Sequence, residues 1–209
     1  MRKKYLSKLL MSICLLVSLI TSGFSAQPII VSSDPLPPVI VLTGQSNMKL
    51  SSPYIDLPGY QKIDCSRSGS SVSQWQRGEL FYNNCLQKVE GRNIAGIFHF
   101  QGERDSYNAS TYSQWSNLTL QFFNDFREDT DSYGVKIVYA QIGTPPTDMS
   151  RPYWRNIQRQ QARLYELDST LRRIVTYDIT PYCPAQGPHF CPNGYQIIAD
   201  RFEDAFLSP

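Results

Sequence analysis

Ser46, Gly69, Gln101 and His189 are the residue types that acyl transfer requires: a hydroxyl to attack, an imidazole to take its proton, and donors for the developing oxyanion. Each stands in a short polar block. Ser46 lies in Thr43-Gly44-Gln45-Ser46-Asn47-Met48, and Gly69 in Cys65-Ser66-Arg67-Ser68-Gly69-Ser70-Ser71, closed by Trp75. Gln101 opens Gln101-Gly102-Glu103-Arg104-Asp105, and His189 follows Asp178 in the block bounded by Cys183 and Cys191. A serine-rich turn alone signals only backbone capping. Here the blocks converge, because each follows an apolar run.

Those runs are the elements that must position the chemistry. Val39-Ile40-Val41-Leu42 has the pattern of a strand buried on both faces. Similar runs occupy residues 94–100, 135–141 and 173–177, with a weaker one around Ile63. Helical spacing separates them: Leu80, Phe81, Cys85 and Val89; Trp115, Leu118, Phe122 and Phe126; Trp154, Ile157, Gln161 and Leu164; and Ile198, Phe202 and Phe206. The alternation predicts an α/β fold, a three-layer α/β/α sandwich around a parallel sheet of about five strands. In such sheets ligands bind at the carboxyl ends of the strands, where all four blocks fall. His99, within the third strand, reads as a core imidazole. Trp115 and Trp154 lie on apolar helical faces and read as core, which leaves Trp75 available to stack on a sugar ring.

Residues 1–25 pair a basic start, Arg2, Lys3, Lys4 and Lys8, with an apolar stretch and small residues at Gly23 and Ser25, the pattern of a cleaved signal peptide. Residues 26–38 read as a polar, proline-rich linker and residues 39–209 as one catalytic domain. Cleavage removes four of the 20 Lys and Arg residues and none of the 18 acidic ones, so the formal charge falls from +2 to −2. No basic tract remains, which argues against nucleic acid as a partner. No later segment is apolar enough to span a bilayer, so a secreted or periplasmic protein is expected. Export would leave Cys65, Cys85, Cys183 and Cys191, an even set that favours disulfides. With no C-x-x-C pair and two histidines, a metal site lacks a ligand set, and no cofactor is expected.

Gly44-Gln45-Ser46-Asn47-Met48, Gly69 with Trp75, Gln101-Gly102-Glu103 with Asp105, and His189-Phe190 ahead of Gly194-Tyr195 resemble the blocks of the SGNH hydrolases. More narrowly, they resemble the carbohydrate-esterase branch containing sialate O-acetylesterases and acetylxylan esterases. The resemblance implies the flavodoxin-like SGNH fold and a serine esterase acting on a glycan ester through an acyl-enzyme. It implies Ser46 as nucleophile and His189 as base. It also implies an oxyanion hole made by the backbone N–H groups of Ser46 and Gly69 and the side-chain amide of Gln101. Glu103 and Asp105 read as anchors of loop backbone.

Two departures from the family pattern stand out. Leu50 replaces a usual glycine, and Gln186 occupies the position of the acid three residues before the histidine. Something else must then fix the imidazole tautomer; Gln186 itself is favoured, with Asp178 next and Glu103 after it. The missing acid also motivates a competing class, an inactive relative that binds glycans; a lipid esterase is a further alternative. Nearness in sequence predicts the disulfides Cys65–Cys85 and Cys183–Cys191.

Overall fold

The computed structural model describes residues 35–144, 151–179 and 188–209. The expected signal peptide, residues 26–34 of the expected linker, Cys183 and Gln186 lie outside them. Residues Leu36–Pro209 form one compact unit.

Five strands, β1 (Val39–Gly44), β2 (Gln61–Asp64), β3 (Ile94–Phe100), β4 (Lys136–Ala140) and β5 (Leu171–Ile174), make one parallel sheet in the order β2-β1-β3-β4-β5. The helices are α1 (Ser46–Ser51), α2 (Leu80–Val89), α3 (Ala109–Asp129), α4 (Trp154–Arg163) and α5 (Pro192–Leu207). They cover both faces of the sheet, as the sequence predicted. All six residues of β1 are buried, which is why its apolar run is continuous rather than alternating.

Side chains of β3 show the two faces directly. Phe98 stacks on Phe202 of α5 with ring centroids 5.0 Å apart, whereas the next residue, His99, meets Phe122 and Phe123 of α3 at 5.7 and 5.1 Å. Adjacent strand residues point to opposite sides, so α5 and α3 sit on opposite layers. Fully burying one such phenylalanine stabilises the fold by roughly 1.5–3 kcal/mol.

The sheet order reverses at β1. The chain leaves β1 for β2 on one side, then returns to place β3 on the other. A crevice opens at such a switch point between the carboxyl ends of the two strands, here the ends that carry Ser46 and Gln101. The bond Cys65–Cys85 ties the segment after β2 to α2. Cys191 is also disulfide-bonded. No helix among the described residues is long and apolar enough to cross a membrane.

The last strand differs from the sequence expectation of residues 173–177. β5 starts earlier, at Leu171, because Leu171 pairs with Ile137 and Ile174 with Ala140. It is an edge strand, so the polar heads of Arg172 and Arg173 reach the carbonyls of Ser169 and Ala162 without leaving the ladder. That is why Leu171 and Arg172 fell outside the run read from the sequence, whereas Arg173 and Ile174 fell within it.

Candidate active site

Gly44 ends β1 with φ at +113°, a backbone turn that aims the chain into α1 and makes Ser46 the first helical residue. Two bonds fix this turn. The N–H of Gln45 donates to the Phe100 carbonyl at 2.9 Å, and the N–H of Arg67 donates to the Gly44 carbonyl at 2.8 Å. The backbone beside Ser46 is therefore tied to β3 and to the Gly69 segment. As the first residue of a helix, Ser46 has no intrahelical acceptor for its own N–H.

His189 immediately precedes Phe190, which packs near the N-terminus of α5. Its Nε2 lies 2.9 Å from Ser46 Oγ. With Nε2 as the acceptor, Ser46 donates, and the proton of the neutral ring belongs on Nδ1. Both residues line an open pocket of about 460 Å³ that Gly69 and Glu103 also border.

Gln101 is corrected by its surroundings. It is fully buried, and its Nε2 donates to the Ser70 carbonyl at 3.2 Å and to an Asp105 carboxylate oxygen. Its Oε1 accepts from Trp115 Nε1 at 2.6 Å. Both amide protons are thus committed inside the protein, and Gln101 braces the Gly69 segment instead of facing the substrate. The glutamine that does line the pocket is Gln45, whose Oε1 accepts from the Arg104 N–H at 3.2 Å. Gln45 belongs to the quoted block, yet its place at the pocket was not legible, since the β1–β3 juxtaposition sets it.

Asp105 is an anchor, as read from the sequence, also taking the Val72 N–H at 3.1 Å. Burial pushes its carboxyl up to about 6. Glu103 is buried as well. Its Oε1 accepts from Asn47 Nδ2 at 2.5 Å, while Oε2 has no hydrogen-bond partner among the described residues, and desolvation pushes the carboxyl up to about 7.

Raised carboxyl groups set the sign of a stability effect. The folded state holds protons that the unfolded chain releases near pH 4.5, so stability falls as pH rises from about 4.5 to 7. Glu103→Gln is therefore expected to raise the unfolding midpoint at pH 8 by the equivalent of about 3 kcal/mol, and to change it little at pH 4. Thermal melts across that range check this; parallel profiles for the two proteins would contradict it.

Of the residues considered for orienting His189, Asp178 is engaged elsewhere: its two oxygens each accept from Arg201 at 2.7 Å. Glu103 is joined to the His189 segment through Asn47, whose Nδ2 also donates to the Pro188 carbonyl. His99 is the core imidazole expected, with Nδ1 2.9 Å from Thr43 Oγ1; burial lowers it to about 3. Trp75 is corrected: fully buried, it donates to Ser70 Oγ at 3.0 Å and offers no face to a sugar.

The surroundings of the pocket are cationic. Lys49, Arg104 and Arg151 line it. The Arg151 guanidinium lies 4.6 Å from the Tyr107 ring centroid and 5.2 Å from that of Trp154, and its Nη1 is buried with no hydrogen-bond partner among the described residues.

Residues 60–208 match the family model described as carbohydrate esterase, sialic acid-specific acetylesterase. The match begins beyond Ser46. A probable carbohydrate esterase of Arabidopsis thaliana is 21% identical over 87 residues, 39% of this chain and 34% of that protein, so the alignment spans about a third of the relative. The solved structure of that Arabidopsis protein superposes with a TM-score of 0.69 at 14% identity, covering 82% of this chain and 98% of its own. A novel carbohydrate acetylesterase from Xanthomonas citri gives 0.60 at 10% identity over 81% of this chain and 55% of its own. A member of the lipolytic G-D-S-L family from Veillonella parvula gives 0.57 at 14% identity, over 82% and 99%. At these identities the structures establish a shared fold.

Proposed function

Since this chain belongs to the sialic acid-specific acetylesterase family of carbohydrate esterases, we propose that it hydrolyses short acyl esters, acetyl foremost, on sugar hydroxyls. The observation that carries this reading is the 2.9 Å approach of Ser46 Oγ and His189 Nε2 inside an open pocket. His189 takes the Oγ proton as the oxygen attacks the ester carbon. The carbonyl electrons pass onto oxygen, where the N–H groups of Ser46 and Gly69 stabilise the charge, with the Gln45 amide beside them. Collapse of this intermediate expels the sugar oxygen, which receives the proton from His189 and leaves an acyl-serine. Water, deprotonated by the same imidazole, then releases the carboxylate and restores Ser46. Gln186 is our candidate for the acceptor that keeps the second proton on Nδ1, and Cys183 for the partner of Cys191.

Lys49, Arg104 and Arg151, which line the pocket, favour a sugar that carries a carboxylate over a neutral one. A charge-assisted hydrogen bond contributes about 1.5–3 kcal/mol, so we expect kcat/KM at least about tenfold higher on acetylated sialic acid than on acetylated xylan. The preference should shrink with added salt and in Arg151→Gln. Equal turnover of both substrates would remove the acidic-sugar reading; activity undiminished in Ser46→Ala would remove the serine mechanism. The disulfide and the sequence pattern of residues 1–25 support an exported protein.

A further inference from the structure

We infer that Asn47 is the positioning residue that holds His189 against the nucleophile, with the Tyr195 hydroxyl as its second arm. This rests on the Ser46–His189 pair of the proposed function. Asn47 follows Ser46 in α1 and is 1% exposed. Its side chain brackets the base: Nδ2 donates to the carbonyl of Pro188 at 3.2 Å, one residue before His189. Oδ1 accepts from the Tyr195 hydroxyl at 2.9 Å, and that hydroxyl oxygen accepts from the N–H of Phe190 at 3.1 Å, one residue after His189. The peptide groups on both sides of His189 are therefore tied to one amide.

The consequence is mechanical. Nucleophile and tether are consecutive residues of one helix, so a shift of α1 carries the His189 backbone with it and conserves the Oγ–Nε2 distance. Only a short amide can serve, because the bracket needs a donor on one side and an acceptor on the other. Aspartate has no proton for the Pro188 carbonyl and would face Glu103, whose Oε1 takes the remaining Asn47 proton. The tyrosine ring is held independently, 5.9 Å from the Phe190 ring and 6.4 Å from that of Tyr54, so its hydroxyl can be removed with the packing kept.

Tyr195→Phe deletes only the hydroxyl, and Asn47→Leu keeps the branched shape and heavy-atom count while deleting every bond. A misplacement near 1 Å can cost a hundredfold in rate. We therefore expect kcat on p-nitrophenyl acetate to fall about tenfold in Tyr195→Phe and about a hundredfold in Asn47→Leu, with KM within about twofold. The double variant should fall no further than Asn47→Leu, since both substitutions break one link.

A second readout needs no turnover. Ser46→Ala removes a group 2.9 Å from the imidazole, so the His189 ring resonance and its titration midpoint should move when it is made in the native background. In a Tyr195→Phe or Asn47→Leu background the same substitution should move them by less than half as much. A folded Tyr195→Phe protein with native kcat, or an undiminished Ser46→Ala shift in either background, would overturn the inference. If the native protein turned over no ester at all, the proposed function would fall, while the resonance comparison would still decide the bracket. Should Asn47→Leu not fold, Tyr195→Phe carries both measurements.

Discussion

Ser46→Ala and His189→Ala are each expected to lower kcat/KM on acetyl esters by several orders of magnitude, and the double variant to fall little further. A serine hydroxyl is a weak nucleophile until a neighbouring base takes its proton, and the 2.9 Å contact to Nε2 is the support for His189 as that base in the proposed mechanism. Removing either partner leaves the same remainder, namely the backbone donors and substrate binding, which is why the losses do not add. Activity should also decline on the acid side of neutrality, because an imidazolium has no lone pair to offer Ser46. Initial rates on p-nitrophenyl acetate across pH check all three statements. Additive losses would mean that the two residues act separately, and full activity in either single variant would remove that residue from the mechanism.

Gly44→Ala is expected to be the most damaging substitution for the fold near the site, costing more than about 3 kcal/mol. At φ +113° an alanine Cβ would lie 2.2 Å from the Phe100 carbonyl oxygen and 2.7 Å from its carbon. These are backbone atoms of the adjacent strand, so no side chain can swing away. Relief requires parting β1 from β3, which breaks the bond from Gln45 N–H to Phe100 and moves the first turn of α1. Gly91 is the internal comparison: it also has a positive φ, +68°, but nothing lies within 4 Å of an added Cβ. Gly91→Ala should cost only about 1 kcal/mol. Denaturant melts of the two variants separate crowding from conformational strain; equal losses would contradict the crowding argument.

Elements whose cause is local were legible in the chain. The seven-residue apolar run of β3 was read to its observed bounds, and the spacing of Trp115, Phe122 and Phe126 marked α3 because both follow from burial against one or two faces. The short helix α1 was hidden inside a block read as a turn, since Ser46-Asn47-Met48-Lys49-Leu50-Ser51 has no repeat long enough to show helical period. The site was legible by residue type but not by direction. Whether a glutamine amide points into the pocket depends on distant groups: Asp105, Trp115 and Ser70 claim Gln101, while the Arg104 N–H orients Gln45. The bracket around His189 joins residues 141 and 148 positions apart, a relation that no local pattern encodes. Trp75 was misread for a related reason: its burial depends on the rings of Phe81 and Phe122, which belong to other elements.

The central claim is that an acyl group passes through Ser46, and rapid acid quenching during turnover of an acetyl ester tests it most directly. Intact-mass analysis followed by peptide mapping should find a fraction of the protein heavier by one acetyl group, carried on the peptide that contains Ser46. The fraction should vanish in Ser46→Ala and rise where water attack is slowed. Rapid turnover with the acetyl group on another residue, or an acetylated fraction that persists unchanged in Ser46→Ala, would contradict the account.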